Sequence, residues 1–412
     1  MNSLLRKLRS ARAVLKHQGP RYFWHRVRLS IRARVSGKIV ILPVQLEDAL
    51  AVDWTEPAPH LDHPVVVTDR KSRIAWITSP PSPTSGGHTT MFRFISYAEK
   101  AGHQCDVYFY NGMGVQEDLE ALRGMLDRTP AYPDFKGRLF NYDPKVGVAP
   151  DTDAIFATGW ETAYPSYRDQ SNARRFYFVQ DFEPGFYSYG SEAILAENTY
   201  HFGFHGITAG GWLSKKLHDD YGMPTDHFDF AVDRTHYHLT NEGERKEIFF
   251  YARPVTPRRA FEFGVLALTE FARLKPEYTI NLAGWDVGDW DLPFDYVNHG
   301  EVGVPQLAEI FNRSAAGLVL SMSNMSLMPL ELVACGTTAV VNDAPNNRMV
   351  SDNPYLDYVH PAPGAMAKRL VAAVERPDRI AYSKEMAASL ADATWDDSGK
   401  QFVTAFERAM RG

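Results

Sequence analysis

From Ile74 onward, short apolar runs alternate with segments whose apolar residues recur at helical spacing, and this alternation halts once and begins again. Strands are expected over residues 74–79, 105–110, 154–158, 176–179 and 206–208, and helices over 89–101, 192–198 and 210–221. The polar stretch 238–246, "HLTNEGERK", interrupts the pattern. Strands over 248–251, 278–282, 316–320 and 338–341 then alternate with helices over 261–274, 305–312, 329–334 and 365–374. Strands separated by helices pair in parallel, because the crossover returns the chain to the same end of the sheet. Two such runs predict two doubly wound α/β domains, with the carboxyl ends of their strands across one cleft where ligands bind. A length of 412 residues is also more than one hydrophobic core usually serves.

Composition narrows the class. Apolar and charged fractions are those of a globular protein, and no run approaches the ~20 apolar residues of a membrane span. The first residues lack an apolar stretch with a small-residue cleavage site, so export is not expected. Cys105 and Cys335 sit far apart in apolar segments, as buried thiols of a reducing compartment do. A cytoplasmic protein is expected. Charge is uneven: residues 1–38 hold eleven of the 44 Lys and Arg and no acid, so 33 basic residues oppose 50 acidic ones over the remainder. Leu4, Leu5, Leu8, Val14, Leu15, Phe23, Trp24 and Val27 recur among those arginines near helical spacing, a pattern that suits an anionic membrane surface or the acidic body of the protein equally. Nucleic acid is not an expected partner, because the acidic remainder repels phosphate.

Several polar residues fall where strands end. Gly86 and Gly87 follow the first strand and precede its helix, where glycine lets backbone N–H groups approach a ligand or merely makes a turn. His88 beside them is the histidine expected to touch substrate. Asp181 and Glu183 in "VQDFEPGFY" follow the strand at 176–179, with Pro184 and Gly185 turning the chain, and both are expected to project toward a sugar or acceptor. Asp181 there could bond hydroxyls, orient an acceptor, act as a base, or simply stabilise the turn. In the second run, Arg253 and Arg258 lie on a Pro-punctuated loop entering a helix, an arrangement suited to bidentate contacts with a diphosphate. Glu331, near the start of the helix at 329–334, is placed to accept from ribose hydroxyls. Asp151 with Asp153, Asp289 with Asp291, and His236 with His238 imitate metal motifs but lack a full ligand set.

The segments "PTSGGH", "RRFYFVQDFEPGFY", "GFHGITAGGWLSKKL", "FDFAVDRTHY", "YARPVTPRR", "LAGWD" and "SNMSLMPLELVACG" resemble, in order and spacing, GT-B glycosyltransferases of the retaining, sucrose-synthase-like class. The similarity is greatest to bacterial surface-layer and polysaccharide rhamnosyltransferases that use dTDP-L-rhamnose. This resemblance implies a basic extension and linker over 1–60, an acceptor-side Rossmann-like domain over 61–240, a nucleotide-sugar domain over 241–395, and a final helix over 396–412 returning to the first domain. It implies that Arg253 and Arg258 hold the donor diphosphate, Glu331 the ribose, Gly300 and Glu301 the base, and that Ser326 and Leu327 offer backbone donors to the phosphates. The wider class has two glutamates eight positions apart. Here Ser323 stands at the first and Glu331 at the second, as in the rhamnosyltransferase-like relatives. Metal-independent transfer with retention onto a surface-polysaccharide or lipid-linked glycan is the implied activity, with no metal or other cofactor; the membrane reading of the charge pattern in residues 1–38 would place them against the inner face of the cytoplasmic membrane. Transferases of this fold using UDP- or GDP-sugars, and a non-catalytic GT-B scaffold, are the competing readings.

Overall fold

The computed structural model describes residues 42–412 apart from 57, 63, 84, 113 and 114. The basic segment 1–38 lies outside the described residues. Contacts divide the chain into Met1–Ala49 and Leu50–Gly412, and both sheets belong to the second unit.

The first sheet has seven parallel strands: β1 (Arg73–Thr78), β2 (Gln104–Phe109), β3 (Leu139–Asn141), β4 (Ala154–Ala157), β5 (Arg174–Val179), β6 (His205–Ala209) and β7 (Thr225–Phe228), in the order β3-β2-β1-β4-β5-β6-β7. The second has six: β8 (Glu247–Tyr251), β9 (Thr279–Ala283), β10 (Val297–Gly300), β11 (Ser314–Val319), β12 (Thr338–Asn342) and β13 (Leu356–Val359), in the order β10-β9-β8-β11-β12-β13. Strand order reverses at β1/β4 and at β8/β11, the two switch points where crevices open.

Apolar side chains on the central strands explain the layers. Trp76 of β1 is fully buried and stacks on Phe156 of β4 at 4.2 Å between ring centroids. Phe402 and Phe406 of the last helix, Trp395–Met410, pack onto those rings, so the chain's end completes the core of the sheet that its beginning built. The four strands not expected from sequence, β3, β7, β10 and β13, are the four sheet edges. Each is short and carries polar residues on a half-exposed face. The helix after β1, α1 (Gly86–Lys100), begins earlier than expected because Ser85 caps it, its hydroxyl accepting from the His88 N–H. Both cysteines are buried and free.

Candidate functional site

Beyond β8 the chain runs through Arg253 into a tight turn, Pro257–Arg259, and enters α2 (Phe261–Leu274). Ala260 between them takes φ +46°, a left-handed conformation that costs a non-glycine residue about 1–2 kcal/mol. Arg253 Nη1 donates to the Gly284 carbonyl at 3.0 Å, past β9. Gly284 sits at φ +115°, and a Cβ there would lie 2.6 Å from the Tyr251 ring, so only glycine lets that loop close against the arginine. Arg259 Nη1 donates to Ser321 Oγ at 2.8 Å, beyond β11. Arg258 lies over the Phe186 ring at 3.9 Å and donates its Nε to Asp181 Oδ2 at 3.1 Å. Among the described residues its two Nη groups have no hydrogen-bond partner.

Asp181 is the point where the two sheets meet chemically. It follows β5, is buried, and accepts at Oδ1 from its neighbour Phe182 N at 2.9 Å and from Asn324 N at 2.7 Å. Asn324 returns the connection, donating its side-chain amide to the Gln180 and Ala209 carbonyls at 3.0 and 2.9 Å. The loop that carries Asn324 is held from behind, because Asn342, Asn346 and Asn347 all donate to the Ser321 carbonyl. It nevertheless contains three buried polar atoms without a partner: Ser323 Oγ, Asn324 Oδ1 and Ser326 Oγ. Such atoms are costly unless a water or ligand satisfies them. Burial lowers the pKa of Arg259; Asp181 opposes the shift, while Arg258 and Arg253 add to it. Three guanidiniums therefore share one carboxylate within electrostatic range.

The structure brings together Asp181, Arg253, Arg258 and Gly300, whose carbonyl accepts from Gly284 N at 2.8 Å. Glu301 is exposed just beyond it. Ser326 and Leu327 lie on the loop after β11, and Leu327 packs against the first sheet's core. Glu331, on α3 (Met328–Ala334), is half-buried and neighbours Arg93 and Asp233. Burial pushes its carboxyl up to about 8, against the attraction of Arg93.

Three expectations are corrected by this geometry. Glu183 turns into the first sheet instead of the cleft: its carboxylate accepts from Trp160 N at 2.5 Å and Tyr177 Oη at 3.0 Å, capping the helix Trp160–Arg168. Burial first, then the Glu161 charge, raises its carboxyl to about 8. His88 has both ring nitrogens engaged, with Ser85 Oγ at 2.7 Å and the Ser79 carbonyl at 2.9 Å, so it ties α1 to the end of β1. Gly86 and Gly87 are the first residues of α1 itself rather than a loop, both exposed, and a Cβ on Gly86 would meet nothing within 4 Å.

Two residues at the centre were not anticipated from sequence. Arg259 was hidden in the doublet "RR", whose members go to different partners, Arg258 to Asp181 and Arg259 to Ser321. Asn324 meets Asp181 through its backbone amide, for which a side-chain pattern carries no signal. Of the metal lookalikes, Asp153 lies before β4 and pairs with Arg70 at 2.7 Å, Asp151 pairs with Arg73, and His236 bonds its neighbour Thr235. Among the described residues no three His, Cys, Asp or Glu side chains gather as a metal site would require.

Comparison with known proteins agrees with the fold. Residues 246–371 match the model described as "WsaF, C-terminal domain" and residues 142–209 the one described as "WsaF, N-terminal domain". The O-antigen biosynthesis protein RfbC of Myxococcus xanthus is 30% identical over 316 residues, which are 74% of this chain and 24% of that protein; the chain thus spans about a quarter of that relative's length. A glycosyltransferase from Rickettsia africae superposes with a TM-score of 0.60 at 11% identity, covering 82% of this chain and 98% of that one. TarM of S. aureus, in a complex with fondaparinux, α-GlcNAc-glycerol and UDP, superposes with a TM-score of 0.64 at 8% identity, covering 82% and 100%. The fold is GT-B.

Proposed function

We propose that this chain transfers a sugar from a nucleoside diphosphate donor, seated on the carboxyl edge of the second sheet, to a glycan acceptor presented by the first. The observation that carries this reading is the pairing of three arginines and one carboxylate with a loop whose buried polar atoms lack partners. A leaving diphosphate needs its growing charge stabilised, and Arg253, Arg258 and Arg259 supply fixed donors for that without a metal. Glu331 takes the nucleoside sugar, through its 3′-hydroxyl alone in a thymidine donor, the segment at Gly300 and Glu301 the base, and the amides of Ser326 and Leu327 the phosphates. In the transfer, the bond from the anomeric carbon to the diphosphate breaks while the acceptor oxygen attacks from the same face. Its proton passes to a phosphate oxygen, so configuration is retained.

The donor in this reading is dTDP-L-rhamnose. Ser323 removes the carboxylate that would accept from a fully hydroxylated sugar, and a 6-deoxy sugar presents one hydroxyl fewer. The similarity to an O-antigen biosynthesis protein supports a surface-polysaccharide or lipid-linked acceptor, and the eleven cations of residues 1–38 support attachment to an anionic cytoplasmic membrane face. No helix of the described residues is long and apolar enough to cross a membrane. Titration with dTDP, UDP and GDP, then with their sugars, tests the donor. Tighter binding of dTDP and its rhamnose sugar is expected. Turnover of UDP-glucose with no response to dTDP-rhamnose would replace the donor and leave the diphosphate site standing.

A further inference from the structure

Asp181 is an anion in a place built for anions. Its carboxylate takes the Arg258 Nε–H and the Asn324 N–H, two of the donors that the loops of the second sheet offer to the first. Everything around these donors fixes them in advance. Phe186 supports the guanidinium from below at 3.9 Å, the Asn324 side chain is tied to the Gln180 and Ala209 carbonyls, and the loop behind it is clasped at Ser321. Asp181 uses only the Nε of Arg258, and the charged groups in range of Arg259 are Asp181, Arg258 and Arg253. Within that group one carboxylate faces three guanidiniums, a positive excess that suits the diphosphate of a nucleotide sugar. Ser323 Oγ, with Gly185 of the first sheet closing over it so that a Cβ there would lie 3.5 Å from the serine's, remains buried and unpartnered in the same loop.

We infer that Arg258 and the Asn324 amide form a phosphate-binding pair, that Asp181 is its occupant in the free protein, and that the donor's diphosphate competes with Asp181 for it. This rests on the transferase reading above. Two consequences join binding to catalysis. Donor entry breaks the Asp181 contacts between the sheets, and it frees the carboxylate beside the departing phosphate, where it can accept from a hydroxyl of the bound sugars other than the attacking one, whose proton goes to the phosphate. A residue that only bound substrate would lose affinity when altered; an internal competitor gains it.

The test is calorimetric titration of the full chain with dTDP, UDP and inorganic pyrophosphate. Asp181→Asn keeps the side-chain shape and removes the competing charge, so it should tighten all three by roughly tenfold, the scale of one charge-assisted contact, while slowing sugar transfer. Asp181→Ser is the second variant, with melting temperatures confirming that both fold. Arg258→Gln should weaken all three by a similar factor. If the wild type binds and neither Asp181 variant binds tighter, the competition is wrong and the transferase reading is untouched. Should no nucleoside diphosphate or pyrophosphate bind wild type or variants, the transferase reading fails and takes the competition with it.

Discussion

Gly86 opens a helix at a position where alanine would meet no obstacle and would favour helix by up to about 1 kcal/mol. In the proposed transferase a bare backbone at Gly86 would let a ligand approach the start of α1, and a Cβ would obstruct it. Gly86→Ala is therefore expected to raise the melting temperature while lowering transfer; a variant both more stable and fully active would mean the glycine serves no ligand. Glu183 makes a prediction of the opposite kind. Its carboxyl, near 4.5 when unfolded, is raised to about 8 by burial and by Glu161, so the native state holds a proton that the unfolded state has lost over that interval. Stability should fall as pH rises from about 5 to 8, and Glu183→Gln, which is neutral throughout, should flatten that slope in thermal melts. An unchanged slope would remove Glu183 as its source. At this scale the sequence marked the charged residues at strand ends correctly as special, yet whether each faces cleft or core was not written in it. Asp181 reaches outward across the sheets, while Glu183, two positions on, turns back because the helix start at Trp160 needs an acceptor.

Elements were legible in proportion to how deeply they are buried. The central strands, with burial nearly continuous along β1, β4, β5 and β11, advertise themselves as apolar runs. The edges β3, β7, β10 and β13 do not, because one side of each needs no core. The helix Trp160–Arg168 escaped for a related reason: a proline at 165 breaks its pattern although the surrounding side chains are buried. Strand ends are fastened by a repeated device. Arg245, just before β8, donates to the carbonyls of Asn241, Ser314, Cys335 and Gly336 and to Thr337 Oγ1, at 2.8–3.1 Å, joining the entries of β8, β11 and β12. Arg175 in β5 does the same with Ser166, Asp169, Ser171 and Ala173. Each satisfies several buried acceptors with one side chain, so Arg245→Ala should cost at least about 3 kcal/mol in urea unfolding, well above the ~1 kcal/mol of a single hydrogen bond. A loss of under 1 kcal/mol would mean that water replaces the guanidinium.

Across the whole molecule, charge is uneven: residues 1–38 hold eleven Lys and Arg and no acid. Vesicles containing anionic lipid should retain the full chain and release it as salt rises, and a chain lacking residues 1–38 should not bind. Equal retention of both would leave that segment without a membrane role. The two sheets and their cleft follow from an alternation visible in the sequence, whereas their closure through Asp181, Arg258 and Asn324 depends on residues 143 positions apart and on a backbone amide. The central claim is that this cleft splits a nucleotide sugar at its diphosphate, and the direct measurement is the rate at which the purified chain, given an acceptor glycan extract, releases dTDP from dTDP-L-rhamnose. The wild type should release it with matching incorporation of sugar, and Arg253→Ala, folded to the same melting temperature, should do so at least ~10²-fold more slowly, the scale of losing a transition-state charge contact. Release that is the same in both proteins would contradict the assignment of the arginine edge as the site of the reaction.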